Sequence, residues 1–136
     1  MLDKQDRISL SRVRYTHAEE CLREAESLLA REQYKGAANR SYYAVFHGIR
    51  AVLALDGIDR KHHSGVIAEF LRLYVKTEIF DKRHSKMISA QYEYRTSSDY
   101  DDFFVISKAE VSEQIMNARE FLRTVSVYLT RRYDES

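Results

Sequence analysis

The sequence predicts an all-α fold, a four- or five-helix up-and-down bundle forming one domain over residues 1–136. Three observations carry that prediction. Proline is absent and glycine occurs only four times, so nothing interrupts long helices and little supports the many turns of a β fold. Apolar residues recur at three- and four-residue spacing along most of the chain. The 136 residues are enough to bury a core without disulfide or metal staples, and no linker, repeat or low-complexity tract divides them.

The first helix is expected from about Ser9 to Arg31, where Ala18, Leu22, Ala25 and Leu29 make one stripe that Cys21 and Leu28 widen. A short turn near Glu32 to Tyr34 leads to a second helix over roughly Lys35 to Leu55. Asp56-Gly57 closes it, glycine being suited to a left-handed end. Tyr42, Val45, Ile49 and Val52 form the core stripe of this helix. Arg40, Tyr43, His47 and Arg50 lie opposite, with Ala44, Ala51 and Ala54 keeping that side shallow enough for another surface to approach.

Ser64 marks the start of a third helix with Val66, Ile67, Phe70, Leu71 and Tyr74 inward, and Asp81 is placed to cap a fourth. That helix sets His84, Ile88, Gln91 and Arg95 in a row and is expected to fray in Thr96-Ser97-Ser98-Asp99, because short hydroxylic side chains compete for the backbone. Phe103-Phe104-Val105 in the following loop should pack, since adjacent exposed phenylalanines are costly. The last helix has the clearest start: Ser107 and Glu110 have capping-box spacing, and Ile106 with Val111 can staple it. Val111, Ile115, Ala118, Leu122, Val125 and Leu129 then hold register for about five turns.

Composition excludes several classes of function. A net charge of +1 gives no global attraction to nucleic acid, so any such contact needs a local patch. No apolar run is long enough to span a bilayer, the N-terminus has no signal-peptide pattern, and the single Cys21 forbids an internal disulfide. A cytoplasmic, membrane-free protein is expected. His62-His63 has no third ligand at helical spacing, and Phe104 stands where a calcium loop over Asp99, Asp101 and Glu110 would need glycine. No glycine-rich phosphate loop is present either, so neither a metal nor another cofactor is expected.

Asn39-Arg40-Ser41-Tyr42-Tyr43-Ala44-Val45-Phe46-His47 concentrates a cation, two phenols and an imidazole on one helix. Together with His63-Ser64-Gly65-Val66-Ile67 and Tyr94-Arg95-Thr96-Ser97-Ser98-Asp99-Tyr100, in this order, it resembles the HEPN domain family. The likeness is to stand-alone prokaryotic members with an arginine followed by Asp-Tyr. The resemblance implies a homodimeric helical bundle, often the toxin of a toxin–antitoxin pair whose antitoxin is a minimal nucleotidyltransferase, and in many members a metal-independent RNase. The family's usual arginine-to-histidine motif lies late in the bundle. Arg95 matches its arginine, but Tyr100, Asp101 and Asp102 stand where the histidine is expected. Arg40 and His47 have the spacing, on the second helix.

Metal-free RNA cleavage needs a base for the 2′-hydroxyl proton, a cation for the charge on phosphate and a proton donor for the leaving oxygen. Arg95, Arg40, His47, Asp99 and Tyr100 are the catalytic candidates. Arg40 and His47 emerge on one face but are separated by about 10 Å of helix rise, so Arg95, Asp99 or Tyr100, or a second copy of the chain, must complete the site. Tyr43, Arg60, Lys61 and His63 are candidates for nucleotide or RNA binding, with Lys82, Arg83, His84 and Lys86 joining Arg60–His63 in a basic rim if the fold brings the two runs together. Two readings stay open: an RNA-cutting toxin, or a non-catalytic module that docks a nucleotidyltransferase, a nucleotide or RNA, with Arg95 and Asp99 merely paired. By resemblance alone, Tyr100 is also a candidate acceptor of a transferred nucleotide.

Overall fold

A computed structural model describes residues 2–135, which form five helices: α1 (Lys4–Ala30), α2 (Tyr34–Leu55), α3 (His63–Phe70), α4 (Arg83–Tyr100) and α5 (Lys108–Asp134). Among the described residues there is no strand. The helix α1 begins a turn earlier than expected because the Asp3 carboxylate accepts from the Asp6 N–H at 2.8 Å. It ends in a Schellman turn, with the Glu32 N–H on the Leu29 carbonyl and the Gln33 N–H on that of Leu28. Glu32 itself takes φ 60°, a left-handed conformation that glycine would hold more cheaply. The same motif closes α2, there with Gly57 at φ 67° as expected.

The hairpin of α1 and α2 is the heart of the molecule, and α2 also touches α3, α4 and α5. The alanine stretch of the second face of α2 is therefore covered within the chain, whereas Arg40, Tyr43, His47 and Arg50 stay half-buried at its edge. Ala44, Ala51 and Ala54 are buried, as are Tyr42, Val45, Ile49 and Val52 on the first face. Small residues admit a close helix, as anticipated, but the helix they admit is the chain's own α1.

The helix α3 starts at His63 and passes without a break into a π-helical turn, Leu71–Val75, in which the Lys76 N–H reaches the Leu71 carbonyl at 2.8 Å. Ser64 lies inside the first turn and does not cap it. The row on α4 is as read, with His84, Ile88 and Gln91 buried and Arg95 partly so. Asp81 accepts from the Arg83 N–H at its start. A buried relay fixes α4 against its neighbours: Ser41 Oγ donates to Gln91 Oε1 at 3.1 Å, and Gln91 Nε2 donates to the Gln114 carbonyl at 2.9 Å. Arg95 is one turn beyond Gln91, so the relay sets where it lies along α2.

Helix α4 does not fray at Thr96. It continues to Tyr100 because Thr96 Oγ1 bonds back to the Tyr92 carbonyl, an Arg95–Asp99 ion pair clips one turn, and the Asp101 N–H closes on the Ser97 carbonyl. Beyond it, only Phe104 of the Phe103–Val105 run packs, against Tyr94. Phe103 and Val105 are 91% and 85% exposed. Side chains in an extended segment alternate, so docking Phe104 and Ile106 inward turns Phe103 and Val105 outward. Ser107 and Glu110 make the full capping box at the start of α5, and Ile106 and Val111 are buried in one cluster beneath it.

Candidate functional site

Residues equally distant from the turn at Glu32 face each other across the α1/α2 hairpin. Glu24 reaches Arg40 at 3.9 Å, the rings of His17 and His47 lie 5.7 Å apart, and Arg14 Nη1 donates to the Arg50 carbonyl at 3.1 Å. One edge of α2 thus becomes a row of cations and imidazoles. On its other side stand the start of α3 and the last turns of α4.

These elements meet at Tyr43. The Arg40 guanidinium carbon lies 4.8 Å from the centre of its ring and that of Arg95 lies 5.9 Å away. The imidazoles of His47 and His63 are 6.0 and 5.8 Å from the same centre. Five sequence candidates, Arg95, Arg40, His47, Tyr43 and His63, are brought together here, with Asp99 behind Arg95 at 3.2 Å. Two guanidiniums already lie over the Tyr43 ring, so it orients cations and is not an empty platform for a base.

Arg95 is held loosely. Its Nη1 is 3.4 Å from His63 Nδ1 and its Nη2 is 3.5 Å from the Tyr43 hydroxyl, both at the long end for a hydrogen bond. Its Nε lies within ion-pair range of Asp99 but outside hydrogen-bond geometry. The Nη–H donors, with only these long contacts, keep most of their bonding capacity for an anion.

Burial pushes the His47 pKa down to about 4, with Arg50, His17, Arg40 and Arg14 adding like-charge repulsion. His47 Nδ1 is buried with no partner. His63 is likewise lowered, by burial and then by Arg95 and Arg50. Both rings are therefore neutral at neutral pH. Burial raises the Tyr42 phenol above its ordinary value. Tyr42 is in the core, as read, but its hydroxyl surfaces to meet His63 Nδ1 at 2.8 Å.

The other candidates stand apart. Tyr100 is 85% exposed, Arg60 is engaged by Glu69 at 3.2 Å, and Lys61 is exposed. The two basic runs do not form one rim. His63 touches Arg95, whereas Arg83 and Lys86 sit at the other end of α4, some 15 Å away by helix rise. His17 and the Tyr42 hydroxyl are the functional groups the sequence reading missed. The hairpin register would have found the first, but nothing local signals the second.

Among the described residues no group of three or more His, Cys, Asp or Glu side chains is arranged to hold a metal ion, and no helix is long and apolar enough to cross a membrane. Cys21 is buried, its thiol pKa raised by burial.

The sequence pattern of the HEPN domain family matches residues 11–128. A Thermotoga maritima protein named "UPF0332 protein" is 36% identical over 108 residues, covering 79% of this chain and 82% of that one. A Methanocaldococcus jannaschii protein named "Putative toxin" is 34% identical over 112 residues, covering 82% and 76%. A second "Putative toxin" of that organism is 34% identical over 83 residues, covering 61% and 62%.

Proposed function

This chain belongs to the HEPN domain family, and on that premise we propose that it is a toxin-like member cutting RNA without a metal ion at the cluster around Tyr43. One observation carries the reading: two guanidiniums and two neutral imidazoles converge on a single half-buried ring. Those are the group types that metal-free transesterification needs. The toxin assignment leans on the relatives named for toxins.

In this reading Arg95 and Arg40 neutralise the scissile phosphate and Asp99 steadies Arg95. His47 takes the proton of the neighbouring 2′-hydroxyl as its oxygen attacks phosphorus; the bond to the 5′-oxygen breaks, that oxygen leaves with a proton from water, and a 2′,3′-cyclic phosphate remains. His47 is a weak base in the free protein because it is buried and because cations crowd it. A phosphate held by Arg95 and Arg40 offsets the Arg40 share of that repulsion and raises its proton affinity. The homodimer and the nucleotidyltransferase antitoxin belong to the same proposal, the dimer being tested by light scattering at micromolar concentration.

Incubation with mixed structured and single-stranded RNA in EDTA tests the activity. Wild type should leave cyclic phosphate ends, and Arg95→Ala and His47→Ala should lose about 10²-fold or more in rate while remaining folded. No cleavage by folded wild type at high concentration overturns it. A second reading, a non-catalytic docking module, is favoured by one feature: Tyr100, Phe103 and Val105 are exposed beside Asp99, Asp101 and Asp102 at the end of α4 and on the loop that follows it. It predicts that Phe103→Ser with Val105→Ser abolishes binding to a co-expressed nucleotidyltransferase with no cleavage to lose.

A further inference from the structure

The two ring nitrogens of His63 are in opposite situations. Nδ1 faces the Tyr42 hydroxyl at 2.8 Å and Arg95 Nη1 at 3.4 Å, whereas Nε2 takes no protein partner and is reached by solvent. A guanidinium nitrogen only donates, so the atom it faces must offer a lone pair. The Tyr42 hydroxyl, kept protonated by burial, is placed to donate to the same lone pair. With Nδ1 bare, the proton of the neutral ring must sit on Nε2.

Stacking fixes the plane of the ring, and the Tyr42 contact to Nδ1 selects its orientation within that plane. The ring is stacked on Phe46, centroids 4.0 Å apart and planes 17° from parallel, and also lies parallel to Tyr42 at 5.9 Å. Its Nε2–H is therefore a donor of fixed direction beside a loosely held guanidinium.

We infer that His63 Nε2–H and Arg95 form a two-pronged seat for one phosphate group, His63 acting as a neutral hydrogen-bond donor and not as the proton-accepting base. The inference rests on the reading of this cluster as an RNA-phosphate site, and it refines that reading. With Nδ1 committed to Tyr42 and Arg95 and Nε2 already protonated, His63 has no lone pair to take the 2′-hydroxyl proton, which leaves that role to His47. It also explains how the cluster works without a histidine following Arg95 on α4: the imidazole arrives from the start of α3. His63 is a phosphate-contacting residue, and Tyr42, acting through it, a positioning residue.

The test is ¹⁵N NMR of histidine-labelled protein at neutral pH, joined to titration with inorganic phosphate. Wild-type His63 should show a bare Nδ1 and a protonated Nε2, and Tyr42→Phe should turn this into a mixture of the two tautomers. A glutamine amide nitrogen reaches about as far as Nε2 and an asparagine nitrogen only as far as Nδ1. His63→Gln should therefore hold phosphate within a few-fold of wild type, while His63→Asn and Arg95→Ala each weaken it about tenfold or more. A protonated Nδ1, equal binding by the glutamine and asparagine variants, or no phosphate binding by wild type overturns the inference. RNA left intact while this tautomer and binding pattern hold would sink the cleavage proposal and keep the seat.

Discussion

At the residue scale the histidines make a prediction that needs no substrate. His47, His63 and His84 all have pKa values below that of an ordinary histidine, burial being the first cause in each case. The folded chain therefore binds fewer protons than the unfolded one wherever free histidine titrates. Stability contributed in this way is complete above about pH 6.5 and is lost as pH falls toward the folded value, about 4 for His47. Urea midpoints should drop between pH 7 and 5, and His47→Gln should remove part of that slope. His47 is only half-buried, so water screens it and its share is on the order of 1 kcal/mol. A His47→Gln variant with the wild-type slope would show that His47 titrates normally. The identities of Arg40, Tyr43, His47, His63 and Arg95 were all legible in the sequence, because charged and aromatic residues on a helix face stand out against a core stripe. Their convergence on one ring was not, since it depends on how α3 and α4 approach α2 in space.

At the element scale, helix ends read more reliably than helix lengths. Gly57 and the Ser107–Glu110 box are local chemistry and lie where the sequence put them. The start of α1 and the end of α4 were misjudged because Asp3 caps early and because the Thr96 hydroxyl and the Arg95–Asp99 pair act within the helix. Glu32 shows the opposite failing, a left-handed closing position held by a residue that gives no sign of it. Glu32→Gly should raise stability by about 0.5–1 kcal/mol, read from urea denaturation, and no gain would mean that the glutamate conformation is not strained. The exposure of Phe103 and Val105 was unreadable for another reason. The rule that phenylalanines pack says nothing about which of an alternating pair finds a neighbour.

For the whole molecule, the all-α class and the five faces followed from periodicity, whereas the central position of α2 did not. Its alanines announce a close helix but cannot say whether that helix is internal. Gly48 shows how tight the packing is, for a Cβ there would lie 2.7 Å from Leu122 Cδ2 and 3.6 Å from Phe121 Cε2 on α5. Gly48→Val should cost about 2 kcal/mol or more in thermal or urea unfolding, and a neutral result would mean that α5 can shift freely. The burial of α2 has a last consequence, for how the two walls of the site move. Amides beside Tyr43 and His47 belong to the helix the bundle is built around, so they exchange with deuterium only when everything unfolds. Those from Arg95 to Tyr100 lie on a half-exposed final stretch of α4 and exchange by local opening. A phosphate bound between the walls should slow the second set and leave the first untouched, so that occupancy is recorded in the last turns of one helix.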